Sequence, residues 1–100
     1  MKMVQRALFE DALRSGTYQD LANQLRDRGF DQAAIYVLFE AFVNMLRAEN
    51  READAEAVED GALDKIWGWC SKKNMWFDEG LSDKKVNASR KANEGLVKIV

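Results

Sequence analysis

The sequence predicts an all-α protein, a small four-helix bundle in which the third and fourth helices form an α-hairpin, followed by a loosely packed C-terminal tail. Apolar residues recur at helical spacing over almost the whole chain before residue 71. The chain has 100 residues, enough to bury one modest core. The expected domains are a bundle over residues 1–80 and a tail over residues 81–100. The predicted core consists of Leu8, Leu21, Leu25, Ile35, Leu38, Phe39, Phe42, Leu46, Val58 and Ile66.

The first two helices are short, and each is expected to end at a glycine. Apolar spacing predicts a helix over about residues 2–14, with Gly16 as its stop. Thr17, followed three residues later by Asp20, resembles a capping box and predicts the start of the second helix. Gly29 should end that helix.

The third helix carries the strongest apolar stripe in the chain. Asp31 is a suitable N-cap for it. Beyond this residue, apolar side chains cover more than one side of the helix, which is typical of a helix at the centre of a small bundle. The stripe is formed by Ile35, Leu38, Phe39, Phe42 and Leu46.

Helical phase separates the third helix from the fourth. No Gly or Pro lies between Asp31 and Asp60, so propensity alone permits one continuous helix. In such a helix Ile66 would lie about 160° around the axis from Leu46, since each residue turns the helix by about 100°. A reversal near Asn50 brings both stripes to one core and is favoured. The alternative is a long helix whose second apolar face requires a dimer to cover it.

Beyond Cys70 the helical pattern loosens. Residues 71–80 are expected to form a loop over the end of the bundle. Ser82 begins a weak fifth helix, which should stop before Gly95. Residues 96–100 are strand-like by their β-branched content, although an otherwise helical domain offers them no partner strand.

Composition narrows the possible functions. With no His, the chain cannot form Ser-His-Asp or Cys-His relays, zincin sites or zinc fingers. A net charge of −2 without a basic block makes nucleic acid an unlikely partner. The longest apolar run, residues 33–39, is too short to span a bilayer, and the charged amino terminus contains no signal-peptide core, so a cytoplasmic protein is expected. Cys70 is expected to be buried and structural.

Acidic residues gather at the start of the predicted fourth helix. Glu52, Glu56 and Glu59 share a helical face and could meet a divalent metal or a basic protein partner. The calcium-loop template fails, because placing its glycine at Gly61 puts Trp67 where the closing Glu belongs. The favoured interpretation is a solvated face that complements the helix macrodipole, and no metal site is predicted.

Aromatic residues concentrate just after this acidic region. Trp67 and Trp69 lie about 200° apart on a helix, so they cannot both point into the same interior. At least one of them must be covered by the segment containing Trp76 and Phe77, or by another molecule. Closure of the core is favoured, and the alternative is an exposed binding patch with Trp69 on the outside.

The two helices around Gly29 raise the possibility of a DNA-binding helix-turn-helix. Such a motif needs a second helix that presents Arg, Lys, Asn or Gln to the bases. The helix after Asp31 instead continues apolar, and Arg47 is its one basic residue. These features disfavour DNA binding, and a transcription-associated helix-turn-helix module is kept as the alternative hypothesis.

No catalytic residue, cofactor or metal is predicted, which favours a function by binding. The leading hypothesis is an adaptor or inhibitor that binds another protein or a second copy of itself. Acidic charge would steer association, and aromatic burial would slow release. An acid–base enzyme using the glutamates would need a cleft that so small a bundle rarely provides. The candidate partner-binding residues are Trp69, Trp76, Phe77, Glu52, Glu56 and Glu59.

Overall fold

The structure, a computed structural model, describes residues 3–67 and 81–92 as helices joined by short turns. Their order is α1 (Met3–Ser15), α2 (Tyr18–Asp27), α3 (Gln32–Ala48), α4 (Glu52–Val58), a π-helical turn (Glu59–Leu63), α5 (Asp64–Trp67) and α6 (Asp83–Ala92). The π turn joins α4 to α5 without a break, so these three segments form one rod. The predicted all-α bundle is confirmed.

Both predicted glycine stops are confirmed. The φ angle is +69° at Gly16 and +98° at Gly29, in the left-handed region that side chains with a Cβ rarely adopt. Beyond the second glycine, the N–H of Phe30 donates to the carbonyl of Leu25 at 3.1 Å, which satisfies an otherwise open carbonyl in the last turn of α2. The chain can therefore turn sharply after each of the first two helices.

The predicted helix starts have mixed outcomes. The carboxylate of Asp31 accepts a hydrogen bond from the N–H of Ala34 at 2.8 Å, which confirms this N-cap. The hydroxyl of Ser82 accepts from the N–H of Lys85 at 3.3 Å and caps α6 in the same way. The capping box at Thr17 is wrong, because its backbone (φ −96°, ψ 46°) is not in the extended conformation that aims a side chain at the first turn, and its hydroxyl makes no cap hydrogen bond.

The chain reverses at Asn50, as the apolar phase predicts. Asn50 has a φ of +60°, and asparagine is among the few residues besides glycine that tolerate this conformation. Its N–H donates to the carbonyl of Arg47 at 3.0 Å, and the N–H of Arg51 donates to the carbonyl of Leu46 at 2.8 Å. These two bonds form a Schellman motif. The alternative of one long straight helix is wrong.

Helix α3 lies at the centre of the bundle and contacts every other described helix and the π turn. Most of the predicted core residues are buried against it, whereas Leu8 is only partly buried. Phe9 is not among the predicted core residues, yet its side chain is 1% exposed. Its ring centroid lies 4.8 Å from that of Phe39 and 5.2 Å from that of Phe42, so it fastens α1 to α3. No helix in the described ranges has the length and apolar character needed to cross a membrane.

Helix α6 packs on α3 more closely than its sparse apolar pattern suggests. Val86 is 1% exposed, and Ser89 is also buried. The guanidinium of Arg90 binds Glu40 of α3 through both carboxylate oxygens, at 2.9 and 2.5 Å. The described part of the predicted tail, residues 81–92, is therefore attached to the bundle. The predicted loop at 71–80 and strand-like end at 96–100 lie outside the described residues.

A cluster of ion pairs fastens α1 to the reversal between α3 and α4. The guanidinium of Arg51 donates to both oxygens of Glu10 at 2.7 and 3.2 Å, and to Asp54 at 3.0 Å. Arg6 binds Glu49 at 2.8 and 2.9 Å beside it. The bond to Glu10 raises the pKa of Arg51 further above its ordinary value, so this guanidinium stays charged at every physiological pH.

Candidate functional site

The predicted partner-binding residues fall into two groups. Glu52 and Glu56 lie exposed on α4, and Glu59 opens the π turn with its side chain 35% exposed. The aromatic members, Trp69, Trp76 and Phe77, lie outside the described residues, as does Cys70. The acidic part of the predicted surface can therefore be described, and the aromatic part stays a prediction.

The three glutamates do not converge on one point. Arg47 of α3 reaches between two of them, with its Nε 3.2 Å from Glu52 and its Nη2 2.5 Å from Glu59. These hydrogen bonds raise the pKa of Arg47. Glu56 makes no ion pair within the described ranges. In the same ranges no group of three or more acidic or Cys side chains is arranged to hold a metal ion.

The position of the acids agrees with the macrodipole interpretation. Glu52 and Asp54 lie in the first turn of α4, where the free N–H groups of the helix carry partial positive charge. Asp54 also binds Arg51, so part of its charge is used within the fold. Glu56 and Asp60, which take no part in these pairs, are exposed to solvent.

A cleft of about 440 Å³, lined in part by Glu59, lies between α3, the π turn and α6. It falls in the size range of small ligand sites. Helix α3 supplies one wall through residues spaced by about one turn, and the π turn and α6 supply the other. The lining residues are Tyr36, Glu40, Val43, Asn44, Arg47, Glu59, Leu63, Asp64 and Arg90.

The π turn explains why three residues of the rod formed by α4, the π turn and α5 line this cleft. In an α-helix, residue 64 would lie about 140° around the axis from residue 59, on a different face. A π turn closes its hydrogen bonds from i to i+5 and holds more residues in each turn. Glu59 and Asp64 are thereby brought to the same face, together with Leu63. Single π turns inside α-helices are frequently found at functional sites.

Both guanidinium groups of the cleft are already engaged. Arg90 binds Glu40 in bidentate fashion and also donates to the side-chain oxygen of Asn87 at 2.7 Å. Arg47 is held by Glu52 and Glu59. The cleft therefore offers carboxylate oxygens more readily than positive charge.

Burial and neighbouring carboxylates together raise the pKa of two groups in the cleft. The pKa of Tyr36 is raised, first by burial and then mainly by Glu40, whose effect is opposed by Arg90 and reinforced by Asp64 and Glu59. The pKa of Asp64 is also raised, first by burial and then by the negative charges of Asp60 and Glu59. Each shift reports an environment in which additional negative charge is disfavoured.

This cleft is not among the predicted sites, although the sequence carries one signal of it. Tyr36, Glu40, Asn44 and Arg47 follow one another at spacings of three or four residues, and so form a polar stripe along an otherwise apolar helix. A buried central helix that keeps such a stripe must present it to solvent or to a polar site.

A second depression, of about 480 Å³, lies between the start of α3 and α6. Asp31 in its wall is used to cap α3, and the amide of Gln32 donates to the carbonyl of Ile66 at 2.9 Å. These two polar side chains therefore serve the fold, and the depression is the weaker candidate for a binding site.

The helix-turn-helix alternative gains no support from the burial of α3. A recognition helix needs an exposed face that can enter the major groove. Ten of the seventeen residues of α3 are buried. Its exposed surface is the polar stripe, on which Glu40 and Arg47 are held in ion pairs.

Comparisons of the chain with known protein families, with curated proteins and with solved structures give no significant match.

Proposed function

We propose that the protein is a cytoplasmic adaptor or inhibitor that binds another protein and does not act as an enzyme. The proposed contact is the acidic surface, defined as Glu52, Glu56, Glu59 and Asp60, together with the adjacent cleft. The observation that carries the proposal is that Glu56 and Asp60 are exposed and make no ion pair within the described ranges. Two such carboxylates beside an open cleft favour a partner with a basic surface.

The proposed mechanism separates recognition into two steps. Unpaired surface carboxylates attract a basic partner over about one Debye length, which raises the rate of association. Aromatic residues then slow release, because a rigid ring buries a large area at small entropic cost. Trp69, Trp76 and Phe77 remain the predicted aromatic contacts.

The test begins with capture of the partner from the native host and its identification by mass spectrometry. The association rate of the purified pair is then measured for Glu56→Lys and for the matched control Asp27→Lys. Asp27 is likewise exposed, but lies at the far end of α2 from the residue that contacts the π turn. We expect Glu56→Lys to slow association by roughly tenfold at low salt, with little effect from the control. Equal effects of the two variants would overturn the proposed surface.

A second comparison addresses the aromatic contact. Trp69→Ala should increase the dissociation rate and leave the melting temperature nearly unchanged. A large loss of stability with unaltered association would assign this ring to the core. If sedimentation shows that the purified protein forms a dimer by itself, the same variants test a second copy as the partner.

A further inference from the structure

We propose that the cleft between α3, the π turn and α6 binds an arginine side chain of the partner protein. The inference deepens the proposed function and rests on it for the identity of the partner. The pocket itself is a property of the isolated chain, so the two ideas can fail separately.

The size and shape of the cleft suit one long side chain. Its volume of about 440 Å³ is ample for one long side chain. Tyr36, Glu40 and Asn44 form one wall on α3, while Glu59 and Asp64 face them from the π turn and the start of α5. An extended side chain entering between these walls would meet oxygen acceptors on both sides.

The hydrogen bonds already formed by the side chains of the cleft favour a cation as its occupant. Arg90 is engaged by Glu40 and Asn87, and Arg47 is engaged by Glu52 and Glu59, so an anion would have to displace an existing carboxylate from either guanidinium. Each carboxylate oxygen, in contrast, can accept more than one hydrogen bond. A new donor can therefore be added without breaking any of these pairs.

The aromatic wall selects a planar cation. Tyr36 lines the cleft, and Trp67 contacts it with the ring centroids 5.1 Å apart, which braces its orientation. A guanidinium stacks on such a ring while its edge donates to carboxylates in a fixed fork. An ammonium group lacks this planar match, so we expect arginine to be preferred over lysine.

The charge balance of the cleft agrees with a positively charged occupant. Burial raises the pKa of both Tyr36 and Asp64, and neighbouring carboxylates raise it further. At Tyr36 the positive charge of Arg90 opposes part of this effect. A cation in the cleft would reduce the repulsion among these carboxylates. The same repulsion makes the empty cleft unfavourable to phosphate or carboxylate ligands.

The test uses N-acetyl-arginine amide as the probe and N-acetyl-citrulline amide as its uncharged analogue. NMR titration of the isolated protein should give saturable shifts at the Tyr36 ring and the Asn44 side-chain amide with the arginine probe. N-acetyl-lysine amide should bind more weakly, and the citrulline probe should produce no saturable shift. Equal binding of the arginine and citrulline probes, or no saturable shift with arginine, would overturn the proposal.

Two variants with the same change of charge separate the cleft from the general field of the protein. Asp64→Asn should weaken binding of the arginine probe by about three- to fivefold, whereas Asp27→Asn, at an exposed position of α2 that does not line the cleft, should change it little. Equal losses would mean that only net charge matters and would contradict the pocket. If Asp64→Asn does not fold, Asn44→Arg is used with the Tyr36 ring as the readout, because a guanidinium supplied from this exposed lining position should fill the cleft and abolish the shift of that ring.

The outcomes also separate the pocket from the proposed function. Binding of the arginine probe by a protein whose partner ignores the acidic surface would retain the cleft and remove the adaptor role. If the arginine probe does not bind but Glu56→Lys still slows association with the partner, the adaptor role stands and the arginine pocket is removed.

Discussion

Gly61, in the middle of the π turn, is required for the contact between the π turn and α2. A Cβ at this position would lie 2.7 Å from Cε2 and 2.9 Å from Cδ2 of Tyr18. Such distances are too short for carbon atoms, so the Tyr18 ring packs directly on the backbone of the turn. Glycine inside a helix costs about 1 kcal/mol relative to alanine, but a larger residue at this position would push the Tyr18 ring away.

The effect of Gly61→Ala on the free energy of unfolding should therefore depend in sign on whether the Tyr18 ring is present. We expect Gly61→Ala to lower the free energy of unfolding by about 1–2 kcal/mol in the wild-type chain, through steric displacement of the Tyr18 ring. In a Tyr18→Ala background the same substitution should raise it by about 0.5–1 kcal/mol, because only the helix propensity remains. Urea unfolding of the four proteins measures the coupling. Stabilisation in both backgrounds would show that the ring moves aside without cost.

At the scale of elements, the reversal between α3 and α4 depends on one left-handed residue. Asn50 adopts a φ of +60°, and a β-carbon in this conformation costs about 1–2 kcal/mol for most residues. Asparagine pays less than alanine because its short amide can bond locally to the backbone. The Schellman hydrogen bonds and the pairs of Arg51 hold the turn around it.

We expect Asn50→Ala to lower the free energy of unfolding by about 1 kcal/mol. Asn50→Gly should change it much less, because glycine adopts the left-handed region freely but is also more flexible in the unfolded chain. Thermal unfolding of the two variants beside wild type provides the comparison. If alanine and glycine prove equivalent, the left-handed backbone at this position does not limit the reversal.

The elements that the sequence could predict are those with a local cause. Gly16, Gly29 and Asp31 act through their own backbone or side chain, and each does what its residue type predicts. The π turn has no such signature, because Val58, Ala62 and Ile66 keep the spacing of an ordinary α-helix. The turn packs against α2 and α3, which lie far from it in sequence, and such contacts are visible only in the folded chain.

The same distinction holds for the whole molecule. The clustering of Glu52, Glu56 and Glu59 follows from the sequence alone, since all three belong to one short stretch of it. The cleft could not, because its walls come from distant parts of the chain, as in the pairing of Glu40 with Arg90 across fifty residues. Periodicity reports which face of a helix is buried, but it does not report which polar residues of two helices will face each other.

A single central helix also makes the stability of the described bundle cooperative. Since α3 contacts every other described element, loss of packing at one of its contacts should lower the stability of all the described helices. Phe9 tests this, because its ring is buried against Phe39 and Phe42 and no other aromatic contact joins α1 to α3 in the described ranges. We expect Phe9→Ala to lower the free energy of unfolding by about 3–5 kcal/mol, the usual cost of removing a buried aromatic ring. The neighbouring Leu8→Ala, at a partly buried position, should cost less than half of this.

Cooperativity determines how the Phe9→Ala loss should be distributed. If the bundle unfolds as one unit, amide exchange should accelerate in α2, α3 and α4 as well as in α1, and circular dichroism and tryptophan fluorescence should give coincident unfolding transitions. Faster exchange confined to α1, with unchanged protection of α3, would mean that α1 detaches alone and that the remaining helices form the stable unit. The Leu8→Ala variant is the control for this comparison, because it alters the same helix without opening the cluster of rings around Phe39.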